Sequence, residues 1–283
     1  MKNFIKHIGL SEFIAIDLET TGLNPKEDKI IEISACKFKK GIFVDSFTYL
    51  INPEEKISNS TTQITGITNA MVEDKPLFKD IEVAFLSFIE DFPIVGHSII
   101  FDMNFLKSYI SNYNSIFSNR MICDTYYLSK IYCYDYNSFS LVSLCQKFNI
   151  EILDSHRAEE DAKNSGLLFF QLLEKIKNSN LDLIQSLKQC IGSFNVPNNK
   201  LFDKTINYLI KNNQSIDNKA NVCNHLEPSV IYENDSDCKH SIDDIFKKDG
   251  LVNNRLNDYE LRAQQIQFSK DILRALNEET FLV

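Results

Sequence analysis

The sequence predicts an α/β fold, with helices packed on a parallel or mixed sheet, and three observations carry that reading. Phe13-Ile14-Ala15-Ile16 is apolar and β-prone, and too short for a helix before Gly22 and Pro25 break the run. Ile30–Lys40 and Ile42–Ile51 read as strands either side of Gly41, a hairpin that extends the first strand. Two stretches, Leu77–Phe92 and a segment from Asp154 to about Ile176, carry apolar residues at helical spacing.

Taken in order, the first strand leads into Asp17 and Glu19, two residues apart, so alternation points both carboxylates to one side. Side by side, two acids repel and lose hydration, and a divalent cation with oxygen ligands compensates them. Thr21-Gly22 and Asn24-Pro25 are turn chemistry, so an acidic strand end entering a turn explains the same residues. Lys37, Lys39 and Lys40 suit a solvated strand edge better than a phosphate-facing patch. Asn52-Pro53 ends that unit, and the hydroxyl-rich run Ser60–Met71 predicts short helical turns. Leu77, Ile81, Phe85, Phe88 and Ile89 line one helix face, and that helix stops before Pro93.

Ile94-Val95-Gly96 reads as a short buried strand leading into His97-Ser98-Ile99-Ile100-Phe101-Asp102. Phe101–Ile110 is expected to be helical, with Asp102 near its start, where the macrodipole favours a carboxylate. Met121–Ile131 and Ser140–Asn149 predict two more helices. The helix from Asp154 has Ala162, Leu167, Leu168, Phe170 and Leu173 as apolar positions and Asp154 or Ser155 as N-cap. His156 then sits near the cap with Asp161 a turn further in, able to approach a common point.

After residue 178 the texture changes. Leu181–Ile191 reads as a helix, but Ser193–Asp244 is dominated by Asn, Lys, Asp and Ser, with one helical island at Phe202–Ile210. The expected organisation is a domain at 1–178, an Asn-rich linker with helical segments at 179–244, and an incomplete third segment at 245–283. Leu256–Leu276 is strongly helical in pattern, and Thr280–Val283 begins a strand. Within the linker, Cys223-x-His225 and Cys238-x-His240 have a tighter gap than zinc ligands usually show, so unliganded loop residues are expected.

Composition narrows the function classes. Met1–Leu10 is no signal peptide and no apolar run is long enough to span a bilayer. Seven scattered cysteines, mostly in apolar segments, suit reduced thiols in a cytoplasm. A net charge of −9 argues against wide electrostatic gripping of nucleic acid, so any such contact is local and metal-screened.

Asp17, Glu19, Asp102, Asp161 and His156 all fall at strand ends or helix starts, where an α/β sheet gathers functional groups. Carboxylates that hold two divalent ions, beside an imidazole that takes a proton from water, suit phosphodiester hydrolysis. The ordered motifs D-x-E-T-T-G, H-x-x-x-F-D and H-x-x-x-x-D resemble those of the DnaQ-like, DEDD-type 3′→5′ exonucleases, histidine subtype, over residues 8–178. The tyrosine subtype would place Tyr where Arg157 stands.

The resemblance implies a ribonuclease H-like mixed five-stranded sheet flanked by helices, followed by a largely helical C-terminal extension. It implies two divalent ions, Mg2+ or Mn2+. Asp17, Glu19 and Asp161 would hold the ion that carries the nucleophilic water, and Asp17 with Asp102 the leaving-group ion, with His156 as base. Thr20, Thr21, Gly22, His97 and Phe101 would contact substrate, with Thr20, Thr21 and Gly22 against the terminal nucleotide and Phe101 near its base. Ser98 departs from the Asn of many relatives.

Asp244–Leu251 followed by Tyr259-Glu260-Leu261-Arg262-Ala263-Gln264-Gln265 is similar to the segment preceding Walker A in DinG-like, XPD-related superfamily 2 helicases. No glycine here is followed by Lys, so Walker A is absent and no ATPase activity is expected of this chain alone. The combined expectation is a 3′→5′ exonuclease acting on single-stranded DNA 3′ ends within a DinG-like repair or replication protein whose helicase core lies further on. RNA trimming, polymerase proofreading and a non-catalytic strand-binding module stay open beside it.

Overall fold

The first strand is longer than its apolar run requires, and its length builds the site. The computed structural model describes residues 1–152, 157–191, 196–212, 241–246, 266–267 and 269–270. Strand β1 (Glu12–Thr20) pairs antiparallel with β2 (Ile30–Lys39), which pairs antiparallel with β3 (Ile42–Leu50). On its other side β1 runs parallel to β4 (Ile94–Gly96), itself parallel to β5 (Ile122–Asp124). The order β3-β2-β1-β4-β5 is the mixed five-stranded sheet expected. Strand β5 is a correction, because a helix was expected from Met121. Ile94 instead donates to the Met121 carbonyl, and Asp124 then caps the helix that follows by accepting from Tyr126.

The helices are α1 (Lys2–His7), α2 (Asn59–Thr65), α3 (Asn69–Val72), α4 (Phe78–Ile89), α5 (Ile100–Tyr109), α6 (Tyr113–Phe117) and α7 (Thr125–Tyr132). They continue as α8 (Leu141–Lys147), α9 (Ala158–Lys177), α10 (Leu181–Ile191), α11 (Asn199–Lys211) and α12 (Ile242–Phe246). Helix α4 ends sooner than Pro93 demands, because Glu90 takes a φ of 40° and turns the chain.

Alternation along β1 separates two cores. Phe13 and Ala15 lie with Cys36, Phe38 and the α9 residues Ala162, Leu168 and Phe169. Ile14, Ile16 and Leu18 lie with Phe85 and Ile89 of α4 and with Ile99, Phe105 and Leu106 at α5. The sheet is therefore covered by helices on both faces, as its parallel half requires.

The chain divides into two units, Met1–Asp217 and Asn218–Val283. In the second, described residues form α12 and a Lys270–Asp243 ion pair of 2.7 Å. Cys223, His225, Cys238 and His240, expected as unliganded loop residues, and the expected helix at Leu256–Leu276 with the Tyr259–Gln265 segment and the strand start at Thr280–Val283, fall largely or wholly outside the described residues.

The first unit extends well past the expected boundary at 178. Ile184 of α10 and Leu201, Phe202 and Leu209 of α11 are buried in the same core as Phe13. Phe4 of α1 meets the Tyr208 ring edge-on at 4.9 Å. Asn198, at a φ of 70°, donates its N–H to the Ile122 carbonyl at 2.8 Å. Its side chain accepts from the Asp124 N–H and donates to the Asp124 carbonyl. This residue thus completes the outer edge of β5, and α10 and α11 belong to the folded unit rather than to a linker. The average composition of Ser193–Asp244 hides a stripe at Leu201, Phe202, Thr205 and Leu209, which one helix face buries.

Phe202→Ala is therefore expected to cost about 3–5 kcal/mol in urea unfolding of the chain, as a fully buried aromatic does. A cost under about 0.5 kcal/mol, typical of a surface position, would return α11 to the linker.

Candidate active site

The odd residues of β1 face α9, and once the apolar run ends that face continues as Asp17 and Glu19. Helix α9 brings Asp161 to meet them. One carboxylate oxygen from each of Asp17, Glu19 and Asp161 lies within 4.8 Å of the others. The close seating of α9 depends on Gly166, since a Cβ there would run into the Phe38 ring of β2. Phe13 stacks on Phe38 at 5.0 Å and meets Phe169 edge-on at 5.3 Å, so an aromatic trio fixes the helix one layer below the acids.

Asp102 reaches the same strand from the other face. Its carboxylate accepts from the Leu18 N–H at 3.0 Å, between Asp17 and Glu19 in the chain. That amide points towards β4, whose pairing with β1 ends at Ala15 and Val95. The acid takes the hydrogen bond that a longer β4 would have taken.

Helix α9 starts at Ala158 with Arg157 as N-cap, so the expected caps Asp154 and Ser155 lie before it, outside the described residues. The capping acceptor comes from β2. Glu32, buried, accepts from the Ala158 N–H at 3.0 Å and from the Arg157 guanidinium at 2.7 and 3.2 Å. His156, the expected base, also lies outside the described residues, next to Arg157 in the chain.

These acids are held away from their ordinary ionisation. Burial, then the charges of Asp102, Asp161, Glu19 and Glu32, push Asp17 well above the usual carboxylate range. Asp102 moves the same way, chiefly by burial, with the Leu18 amide partly offsetting it. Glu19 is pushed up to about 7 by burial and by Asp161 and Glu32, against the opposing pull of Arg157. That cation is itself held by Glu32. Crowded hard oxygen donors fit a divalent cation such as Mg2+ or Mn2+, with Asp17, Glu19 and Asp161 as the first ligand set.

The expected substrate contacts fare differently. Both ring nitrogens of His97 are engaged within the protein, Nδ1 with the Thr125 hydroxyl and Nε2 with the Phe139 carbonyl, each at 2.9 Å. Burial lowers its pKa to about 4, so it stays neutral and serves to pin the loop after β4. The Thr20 hydroxyl donates to the Gly22 carbonyl, and that of Thr21 donates to Glu55 and accepts from Lys29. Gly22 is seated on Asp28, whose carboxyl a Cβ would meet at 2.5 Å. Phe101 is half-buried against Phe105 at 4.9 Å, beside Asp102 on α5. The sequence reading missed Glu32, Asp124 and Asn198. A lone acid inside the apolar run Ile30-Ile31-Glu32-Ile33 is the signal that pointed to the first.

The sequence profile of the RNase_T exonuclease family matches residues 14–169. A PolC-type DNA polymerase III of Caldanaerobacter subterraneus is 33% identical over 207 residues, 73% of this chain and 15% of that protein. The 3′-5′ exonuclease DinG of Bacillus subtilis is 31% identical over 196 residues, 69% of this chain and 21% of that protein. The chain thus spans a small part of these relatives. Escherichia coli Exonuclease I, solved with a dT13 oligonucleotide, superposes with a TM-score of 0.50 at 17% identity, covering 62% of this chain and 46% of that one.

The raised pKa of Glu19 has a measurable sign in metal-free protein. Between its ordinary 4.5 and about 7 the folded state holds a proton that the unfolded state has lost. Its contribution is therefore complete below about pH 4.5 and lost as pH rises through about 7. The melting temperature of wild type relative to Glu19→Gln should fall across that window in EDTA. A flat or rising difference would mean that Glu19 is not crowded as described.

Proposed function

Since the chain belongs to the exonuclease family, its folded core being a DnaQ-like 3′-5′ exonuclease domain, we propose that it removes nucleoside 5′-monophosphates from the 3′ ends of single-stranded DNA. The observation that carries this reading is the convergence of Asp17, Glu19 and Asp161 within 4.8 Å, with Asp102 fixed to the intervening Leu18 amide.

In this reading Asp17, Glu19 and Asp161 hold one divalent ion and Asp17 with Asp102 a second. Bound there, the ions would polarise the scissile phosphate and supply a water of lowered pKa. His156 accepts the proton of the attacking water, an imidazole being the side chain that changes charge near neutral pH. Asp102 is aligned for its part by the Leu18 amide, and Asp161 by the anchored start of α9. The turn at Thr20–Gly22 presents a closed edge on which the terminal nucleotide rests, and Phe101, beside Asp102, offers a ring to its base.

The similarity to PolC-type polymerases over 73% of the chain supports proofreading as a second reading. The Tyr259–Gln265 resemblance, with the Bacillus subtilis relative, supports a DinG-like protein with a helicase core, acting in the cytoplasm. No helix among the described residues is long and apolar enough to cross a membrane.

A 5′-labelled single-stranded oligonucleotide, as DNA and as RNA, tests this with Mn2+, Mg2+ or EDTA. The expected result is a DNA ladder shortening from the 3′ end, abolished by EDTA and reduced at least about a hundredfold by Asp17→Ala. Undiminished hydrolysis by Asp17→Ala would sink the site assignment, and faster RNA loss would move the substrate to RNA.

A further inference from the structure

We propose that Glu32 and Arg157 form a positioning clamp that sets the catalytic register of α9, a role that rests on the exonuclease reading of the site. Glu32 reaches from β2 across to the start of the helix, with only 1% of its surface exposed. Both of its oxygens are engaged. Oε1 takes the Arg157 Nη2 hydrogen at 2.7 Å, and Oε2 takes both the Nε hydrogen at 3.2 Å and the Ala158 N–H at 3.0 Å.

Three features make this more than a surface ion pair. The carboxylate is buried, so its partners decide where it sits. It bonds a guanidinium in two-pronged fashion, which fixes orientation as well as distance. It also satisfies a free N–H of the first helical turn, replacing the side-chain cap that Arg157 does not supply. Glu32 stands opposite Glu19 in the β1–β2 ladder, so the clamp ties α9 to the strand pair that carries the metal-binding acids.

The clamp touches neither substrate nor ion. It acts on its neighbours, since His156 precedes Arg157 directly and the Asp161 N–H bonds the Arg157 carbonyl at 3.0 Å. Without Arg157 anchored, the first turn of α9 keeps its contacts at Glu159 but loses the tie at its N-cap, and the distance from Asp161 to Asp17 and Glu19 is less firmly set. Glu32 is not among the acids that cluster as metal ligands, and its carboxylate already accepts three hydrogen bonds.

The test uses the full chain with Glu32→Gln, Arg157→Gln, the double variant and Arg157→Lys. A 5′-labelled single-stranded oligothymidylate gives kcat and KM, and calorimetry with Mn2+ alone gives metal affinity. Melting curves ensure that every assay runs on folded protein. Each Gln variant should lower kcat roughly tenfold to a hundredfold, the scale of a small misplacement, with KM within about threefold. Mn2+ affinity should fall about tenfold, as for other residues that orient ligands. The double variant should be no worse than the poorer single, since both remove one device. Arg157→Lys, which keeps charge but not the fork, should fall between.

Unchanged kcat and Mn2+ affinity in both Gln variants would overturn the clamp, as would additive losses in the double. A rise in KM alone on Arg157→Gln would also overturn it, making Arg157 a strand contact. Wild type that binds Mn2+ without cutting the DNA would overturn the substrate reading, while the Mn2+ comparison still decides the clamp. Wild type that does neither overturns both.

Discussion

Bringing Asp17, Glu19 and Asp161 together is the constraint on which the rest of the fold is built. Two full charges 4.8 Å apart near a protein surface repel by about 3–4 kcal/mol. Burying one Leu or Phe side chain contributes about 1.5–3 kcal/mol. Helix α9 alone buries Leu168, Phe169, Leu172, Leu173 and Ile176 completely. The apolar seat of the helix therefore outweighs the repulsion at its tip, and the acids stay crowded because their backbones cannot separate. Burial first and this repulsion second raise the pKa values of Asp17 and Glu19, and a cation or a bound proton relieves both.

The site also depends on unequal strand lengths. β1 runs to Thr20, whereas β4 stops at Gly96, and the unpaired stretch of β1 leaves backbone amides open on one side. A longer β4 would have closed that edge and left Asp102 no amide to bond. Gly96 is needed at this stop, since a Cβ would press on Ile99 and lie 3.1 Å from the Ile16 carbonyl. The acids from the two sheet faces meet where the sheet ceases to be continuous.

Much of this was legible in the chain. Local alternation placed Asp17 and Glu19 on one face, and motif order linked them to Asp102 and Asp161. What escaped was non-local. Strand β5 is three residues long and leads straight into a helix, so helical periodicity swallowed it. Glu32 looked like one more charge in a strand, because its partners lie 125 and 126 residues away. That Thr125 and Phe139 engage both ring nitrogens of His97 is likewise visible only in the fold. Asn198 lay in a segment whose composition reads as linker, yet one left-handed residue there completes a strand edge.

That strand edge bears on how a domain of this kind works inside a longer protein. Helix α11 belongs to the first unit, which therefore runs past residue 212 rather than ending at 178. The unit carries the acids Asp17, Glu19, Asp102 and Asp161 together. The chain as a whole, at net charge −9, carries no long-range pull on nucleic acid. Chemistry and strand capture are therefore separable by charge. If the folded unit cuts 3′ ends as proposed, how often an end arrives depends on whatever holds the strand close by, which raises its local concentration without a single new contact at the acids.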